Sequence, residues 1–366
     1  MATQNKIDRF LRLMNDRGGS DFHLTVGRPP MLRVSGTMEK IRYRVVKDRD
    51  FIELVKPISP PNRWEEFEAT GDTDFAYEVP DLARFRVNVF RQERGRGAVL
   101  RVIPSKIMSL TQLGLPEQIR RVASVRSGLI LVTGPTGSGK STTLAAIIDL
   151  INETRGLHII TIEDPIEFVH QNKKCLIHQR EIGNHATSFS EALKSAARED
   201  PDLVLVGEMR DLETISEALS AAEKGTIVFG TLHTNNAAKT VDRIISIYPA
   251  GEQEGVRNVL GEILRAVVAQ QLMPKIGGGR VAAIEILFSS PAVGNMIREG
   301  KISSITSTIQ TGVNQGMIDM DTSIRQLFDE GKVTAQAAYD KAIDKELFKE
   351  LIGEKSAEKP ALTAAK

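Results

Sequence analysis

Gly134-Pro135-Thr136-Gly137-Ser138-Gly139-Lys140-Ser141 fits the pattern G-x-x-x-x-G-K-[ST] in full. Glycines at this spacing let main-chain N–H groups approach anionic oxygens. The lysine reaches the β/γ oxygens of a nucleotide, and the Ser141 hydroxyl is offered to Mg²⁺, with Thr142 completing the phosphate-binding set. Such a loop works only between a strand and a helix. Leu129–Val132 supplies an apolar strand before it, and 142–150 a helical pattern after it.

Hydrolysis also needs carboxylates at the ends of neighbouring strands. Leu203-Val204-Leu205-Val206-Gly207-Glu208 ends an apolar run in an acid placed to hold Mg²⁺ through water. Ile159-Ile160-Thr161-Ile162-Glu163-Asp164-Pro165 ends another in adjacent acids. Glu163 is the candidate base for the attacking water; Asp164 takes either role or helps place Glu163. His233 follows a further strand in Gly230-Thr231-Leu232-His233-Thr234-Asn235. It either touches the γ-phosphate or is an ordinary loop residue. His158, His170, His178 and His185 have no metal-ligand spacing. The one guanine-type match, Asn5-Lys6-Ile7-Asp8, precedes the loop and falls on a predicted helix, so ATP is the expected nucleotide.

Six arginines fall in 84–101: Arg84, Arg86, Arg91, Arg94, Arg96 and Arg101. On a strand Arg84 and Arg86 share a face with Asn88, opposite Phe85, Val87 and Val89, so neither should be buried. Three readings stay open. One is a solvated edge that discourages strand pairing. Another is an anion site with arginines on γ-phosphate charge. The last is a nucleic-acid patch, which lacks interleaved stacking aromatics.

The elements that must position these groups follow two grammars. Up to about Val102 the chain is α+β with antiparallel character. Ile7, Phe10, Leu11 and Met14 recur at helical spacing, Gly18-Gly19 stops that helix, and alternation follows at Phe22-Leu24-Val26, Phe75-Tyr77-Val79 and Phe85-Val87-Val89. After Pro104–Pro116 the unbroken apolar runs 129–132, 158–162, 203–206 and 226–229 alternate with helical patterns, as in a parallel sheet covered on both faces. Val259, Leu260, Ile263, Leu264, Val267, Val268 and Leu272 predict one amphipathic helix ended by Pro274. Helical patterns run on from Pro291 to about Ile352, and 353–366 reads as a disordered tail. The expected divisions are 1–103, a linker 104–116, 117–352 and the tail.

Lys and Arg number 48 against 47 Asp and Glu, a net charge of +1, so no strong field pulls the chain to nucleic acid. A single cysteine, Cys175, excludes a disulfide framework or a cysteine zinc site and fits a reducing compartment. No run approaches the ~20 apolar residues that span a bilayer.

The phosphate loop, Glu163-Asp164-Pro165-Ile166-Glu167, Gln179-Arg180-Glu181-Ile182-Gly183, the stretch Asp200–Arg210 and Thr231-Leu232-His233-Thr234-Asn235 resemble the Walker A, Asp box, Walker B and His box of secretion ATPases. Within that superfamily the sequence is closest to the PilT family of type IV pilus retraction (twitching motility) motors. Gly18–Leu24 and Val267–Leu272 are similar to further signatures of that family, and the likeness runs from about Asp16 to Glu330. It implies an N-terminal PAS-like α+β domain and a C-terminal RecA-like P-loop ATPase domain with additional C-terminal helices. It implies homo-hexameric rings, ATP with Mg²⁺ between the domains, and arginines of the first domain on the phosphates, Arg94 and Arg101 first and Arg84 and Arg86 behind them. It also implies a rotary cycle acting on an inner-membrane platform protein, and through it on pilin, from the cytoplasmic face of that membrane. Extension motors of the superfamily usually carry a longer N-terminal region and a four-cysteine zinc motif, neither of which is found here. One departure stands out. The family's Ala-Ile-Arg-Asn-Leu-Ile-Arg-Glu segment reads Ala292-Val293-Gly294-Asn295-Met296-Ile297-Arg298-Glu299, with glycine in place of a long cation. A paralogous or accessory motor is the alternative that this departure raises.

Overall fold

Period-2 alternation in the first hundred residues builds one antiparallel sheet. The computed structural model describes residues 5–34, 36–103 and 107–356. One compact unit comprises Met1–Lys106 and Pro165–Val169; the other comprises Ile107–Asp164 and His170–Lys366. The first contains α1 (Asp8–Asp16), β1 (Gly19–Thr25), β2 (Met31–Val34), β3 (Thr37–Lys40), α2 (Asp48–Val55), α3 (Pro61–Thr70), β4 (Asp72–Val79), β5 (Ala83–Gln92) and β6 (Gly95–Ile103). Its strand order is β3-β2-β1-β6-β5-β4. Phe22, Phe51, Phe67, Phe75 and Phe85 are fully buried in its core. Asn5 and Asp8, half of the guanine-type match, serve this fold: the Tyr77 hydroxyl donates to Asp8 at 2.7 Å and accepts from Asn5 at 2.9 Å.

The second unit begins with α4 (Ile119–Ala123), β7 (Gly128–Thr133), α5 (Lys140–Thr154), β8 (His158–Glu163), β9 (Leu176–Glu181), α6 (Phe189–Ala196), β10 (Leu203–Val206), α7 (Leu212–Glu223), β11 (Ile227–Leu232) and α8 (Ala237–Ser246). It continues with α9 (Gln253–Ile263), β12 (Leu264–Pro274), β13 (Arg280–Phe288), α10 (Pro291–Arg298), α11 (Ser304–Thr311), α12 (Met320–Asp329), α13 (Ala335–Lys341) and α14 (Glu346–Ser356). The sheet order is β13-β12-β7-β11-β10-β8-β9, and only the β12–β13 pair is antiparallel. β7, β10 and β11 are buried at every residue, as strands covered on both faces must be.

Two expectations are corrected. The predicted helix through Leu272 stops at Ile263, and Leu264–Pro274 is a strand beside β7. An apolar run is locally compatible with a buried helix or a buried strand. The open place beside β7 settles the matter, and Val267 and Val268 lose little rotamer freedom in a strand. Residues 353–356, expected to open a disordered tail, are the end of α14, which reaches Ser356; 357–366, and 104–106 of the expected linker, lie outside the described residues.

The altered segment lies on α10 and has a packing reason. A Cβ on Gly294 would stand 2.6 Å from the Gly261 carbonyl oxygen, and one on Gly261 would stand 2.8 Å from that of Gly294. The glycine pair lets α9 and α10 approach backbone to backbone.

Candidate active site

Four parallel strands deliver the predicted chemistry to one edge of the sheet. β7, β11, β10 and β8 are neighbours in that order, and their carboxyl ends carry the phosphate loop, His233, Glu208 and Glu163 respectively. Open α/β sheets bind ligands at this edge.

The loop leaves Thr133 and enters α5 at Lys140. Gly134 adopts φ +146°, where a Cβ would lie 2.2 Å from the Gln270 carbonyl oxygen. Gly139 adopts φ +89°, and its Cβ would meet Gln270 Nε2 at 2.8 Å. Both positions therefore require glycine. Pro135, Thr136 and Gly137 are exposed, and no heavy atom lies within 4 Å of a Cβ built on Gly137. The loop thus presents an open cradle at the N-terminus of a 15-residue helix, the geometry that favours anions. Lys140 Nζ donates to the carbonyls of Gly134 at 2.7 Å and Pro135 at 3.3 Å, which holds the ammonium over that cradle.

Glu163 ends β8 half-buried. Its Oε1 accepts from Thr161 Oγ1 at 2.6 Å and from Gln179 Nε2 at 3.1 Å. Gln179 stands opposite Thr161 in the β8–β9 register, and its own Oε1 accepts the His170 N–H at 2.8 Å. Glu208, also half-buried, accepts from His233 Nε2 at 2.7 Å and from Arg210 Nε. Burial pushes the Glu208 carboxyl up, but the hydrogen bonds from Arg210 and His233 outweigh it and hold the group below its usual range. Glu208 is thereby kept ionised, and an exposed histidine is tied to it.

In the first unit, Arg84 and Arg86 leave the buried face of β5 as expected and lie 3.9 Å from Glu78 and 3.5 Å from Asp74. Arg91 and Arg96 share Glu68, and Arg96 also pairs with Asp48. Arg101 Nε donates to the buried Asp21 at 2.7 Å. Among the described residues no carboxylate pairs with Arg94, which lines a cleft of about 300 Å³ with His23, Thr25, Arg28, Met31 and Gln92.

Sequence reasoning missed Thr161 and Gln179 as supports of Glu163, Arg210 as a partner of Glu208, and Gln270 with Thr143 behind the loop. Polar residues inside apolar runs, Thr161 in β8 and Gln270 in β12, are the signal that could have marked two of them.

The family model described as Type II/IV secretion system protein matches residues 26–333. This chain belongs to that family. It is similar to the type IV pilus retraction ATPase PilT of Pseudomonas aeruginosa, with 52% identity over 92% of this chain and 98% of that protein. The type IV pilus ATPase PilU of the same organism is 37% identical over 91% of this chain and 87% of its own length. A crystal structure of the pilus retraction motor PilT with bound ADP superimposes with a TM-score of 0.87 at 42% identity, covering 94% of this chain and 99% of the other. The chain is therefore a PilT-family secretion ATPase.

Proposed function

We propose that this ATPase is a hexameric, Mg²⁺-dependent motor that powers type IV pilus retraction from the cytoplasmic face of the inner membrane, acting on a platform protein there and through it on pilin. The observation that carries the retraction reading is the 52% identity to a retraction ATPase over 98% of that protein's length.

The residues present fit a magnesium nucleotide. Mg²⁺ takes hard oxygen donors and keeps most of its waters. Ser141 follows Lys140 in the first turn of α5, and Glu208 is held ionised. Among the described residues no group of three or more His, Cys, Asp or Glu would hold a metal unaided, which suits an ion that arrives with phosphates. Bound there, the ion would neutralise charge on the β- and γ-oxygens.

Gly134–Gly139, except Pro135, which has no N–H, bind the phosphates through main-chain N–H groups, and Lys140 exchanges its loop carbonyls for terminal phosphate oxygens. Glu163, fixed by Thr161 and Gln179, orients the attacking water and takes its proton. His233 reports the γ-phosphate through its bond to Glu208, since loss of that phosphate changes what both groups face. The finger role among the arginines falls first on Arg94, whose charge no described carboxylate neutralises.

Deleting the gene and counting surface pili tests the reading. Surplus pili that do not retract, with twitching lost, are expected; loss of pili would assign extension instead. The Gly261–Gly294 contact supports a second reading, an accessory or paralogous motor whose α10 has exchanged a cationic contact for close packing. Surplus pili that still retract would favour it.

A further inference from the structure

Gln270 is almost wholly buried, at 2% exposure, and sits on β12 one residue past the last β12–β7 register pair, Ala269 with Thr133. Its side chain uses both ends of its carboxamide. Nε2 donates to the Ser138 carbonyl at 2.7 Å, and Oε1 accepts from Thr143 Oγ1 at 2.7 Å. Thr143 is itself 1% exposed in the first turn of α5. The Gln270 main chain closes the same clamp, with its carbonyl oxygen where a Cβ of Gly134 would stand. One residue therefore touches the entry of the phosphate loop, its last peptide and the helix that follows.

The bond to Ser138 has a directional consequence. A peptide unit is planar and trans, so its carbonyl and the next N–H point opposite ways. Drawing the Ser138 carbonyl inward onto Gln270 turns the Gly139 N–H outward, toward the cradle that receives phosphate. An amide is the neutral side chain that can donate at one end and accept at the other. Glutamate has the same shape but no hydrogen for the Ser138 carbonyl unless it is protonated, and it would bring negative charge beneath the phosphates.

We infer that Gln270, acting with Thr143, is a positioning residue of the ATPase reaction: it sets the direction of the loop's phosphate-binding N–H groups without touching nucleotide. This rests on the ATPase activity alone and not on what the motor moves. Wild-type binding of a fluorescent ADP analogue checks that basis in the same titration, whereas the pilus count addresses the motor.

The test measures KM and kcat for ATP, Kd for mant-ADP and Tm on full-length protein. In Gln270→Glu, KM and Kd are expected to rise about tenfold, the worth of one buried hydrogen bond, with kcat moving less; the buried carboxylate also lowers Tm, so affinities are read well below the variant's melting range. Unchanged affinity would overturn the inference, as would an affinity loss that only follows a falling Tm. Should Gln270→Glu fail to fold, Thr143→Val decides: its Kd is expected to rise several-fold, and Thr143→Ser, which keeps the hydroxyl, to restore it. Wild-type affinity in Thr143→Val would equally sink the proposal.

Discussion

The base proposed at Glu163 needs its carboxylate held in one orientation, and Thr161 and Gln179 both donate to its Oε1. Glu163→Gln keeps the shape and hydrogen bonding of the side chain but not its basicity. It is expected to bind ATP with near-normal affinity and to hydrolyse it at least about a hundredfold more slowly, the usual worth of a general base. Gln179→Leu leaves the proposed base in place and keeps its bond from Thr161 but removes the one from Gln179. Its kcat should fall about tenfold, the order of one lost hydrogen bond, with KM little changed. Steady-state kinetics on both variants separate the two roles, and wild-type turnover in Glu163→Gln would remove that residue from the mechanism. Legibility differed at this scale. Glu163 stood out because it ends an apolar run, whereas Gln179 meets it only through the pairing of β8 with β9.

At the scale of elements, two contacts of the second unit carry predictions. The α9–α10 approach tolerates no Cβ at Gly294 without a shift of backbone. Gly294→Ala would gain helix propensity on α10, yet overpacking against the Gly261 carbonyl should outweigh it, a net loss of about 1–3 kcal/mol. Gly294→Arg, which restores the family's cation, should cost more. Denaturant unfolding measures both, and a stabilised Gly294→Ala would show that the helices can separate freely. The other contact is Glu285 on β13, 3% exposed, whose Oε1 accepts the Ala237 N–H at the start of α8 at 2.7 Å. Burial above all, with Asp319 and Asp321 adding to it against the hydrogen bonds from Ala237 and Met320, raises this carboxyl from an ordinary 4.5 to about 7. A raised carboxyl binds its proton more tightly in the folded chain, so its contribution to stability is fully present below about pH 4.5 and is lost as pH rises through about 7. The Tm of Glu285→Gln should therefore rise relative to wild type between pH 5 and 8. A Tm difference that stays flat with pH would show that Glu285 does not titrate in that window.

At the scale of the whole molecule, the proposed ring assembly and the arginine charge can be tested together. Arg94 has no carboxylate partner among the described residues, so Arg94→Ala should assemble and melt like wild type while losing turnover. Arg101→Ala uncovers the buried Asp21 carboxylate, which keeps Ser20 and the more distant Arg33, so it should melt lower as well as turn over more slowly. Light scattering, thermal melts and ATPase rates on the same preparations distinguish these outcomes. Full activity in assembled Arg94→Ala rings would end its candidacy as a finger.

The sequence by itself determined what is local. The phosphate loop is eight consecutive residues whose chemistry depends on their own backbone, and four apolar runs announced a parallel sheet because strands buried on both faces have no polar side to show. The tertiary structure decided what depends on partners far along the chain. Gln270 meets Ser138 across 132 residues, and His233 meets Glu208 across 25, through strand order that no local pattern encodes. The fate of Leu264–Pro274 was decided the same way. An apolar stretch carries enough pattern to be buried but not enough to choose helix or strand, and the vacant edge of β7, whose N–H and C=O groups needed partners, made the choice.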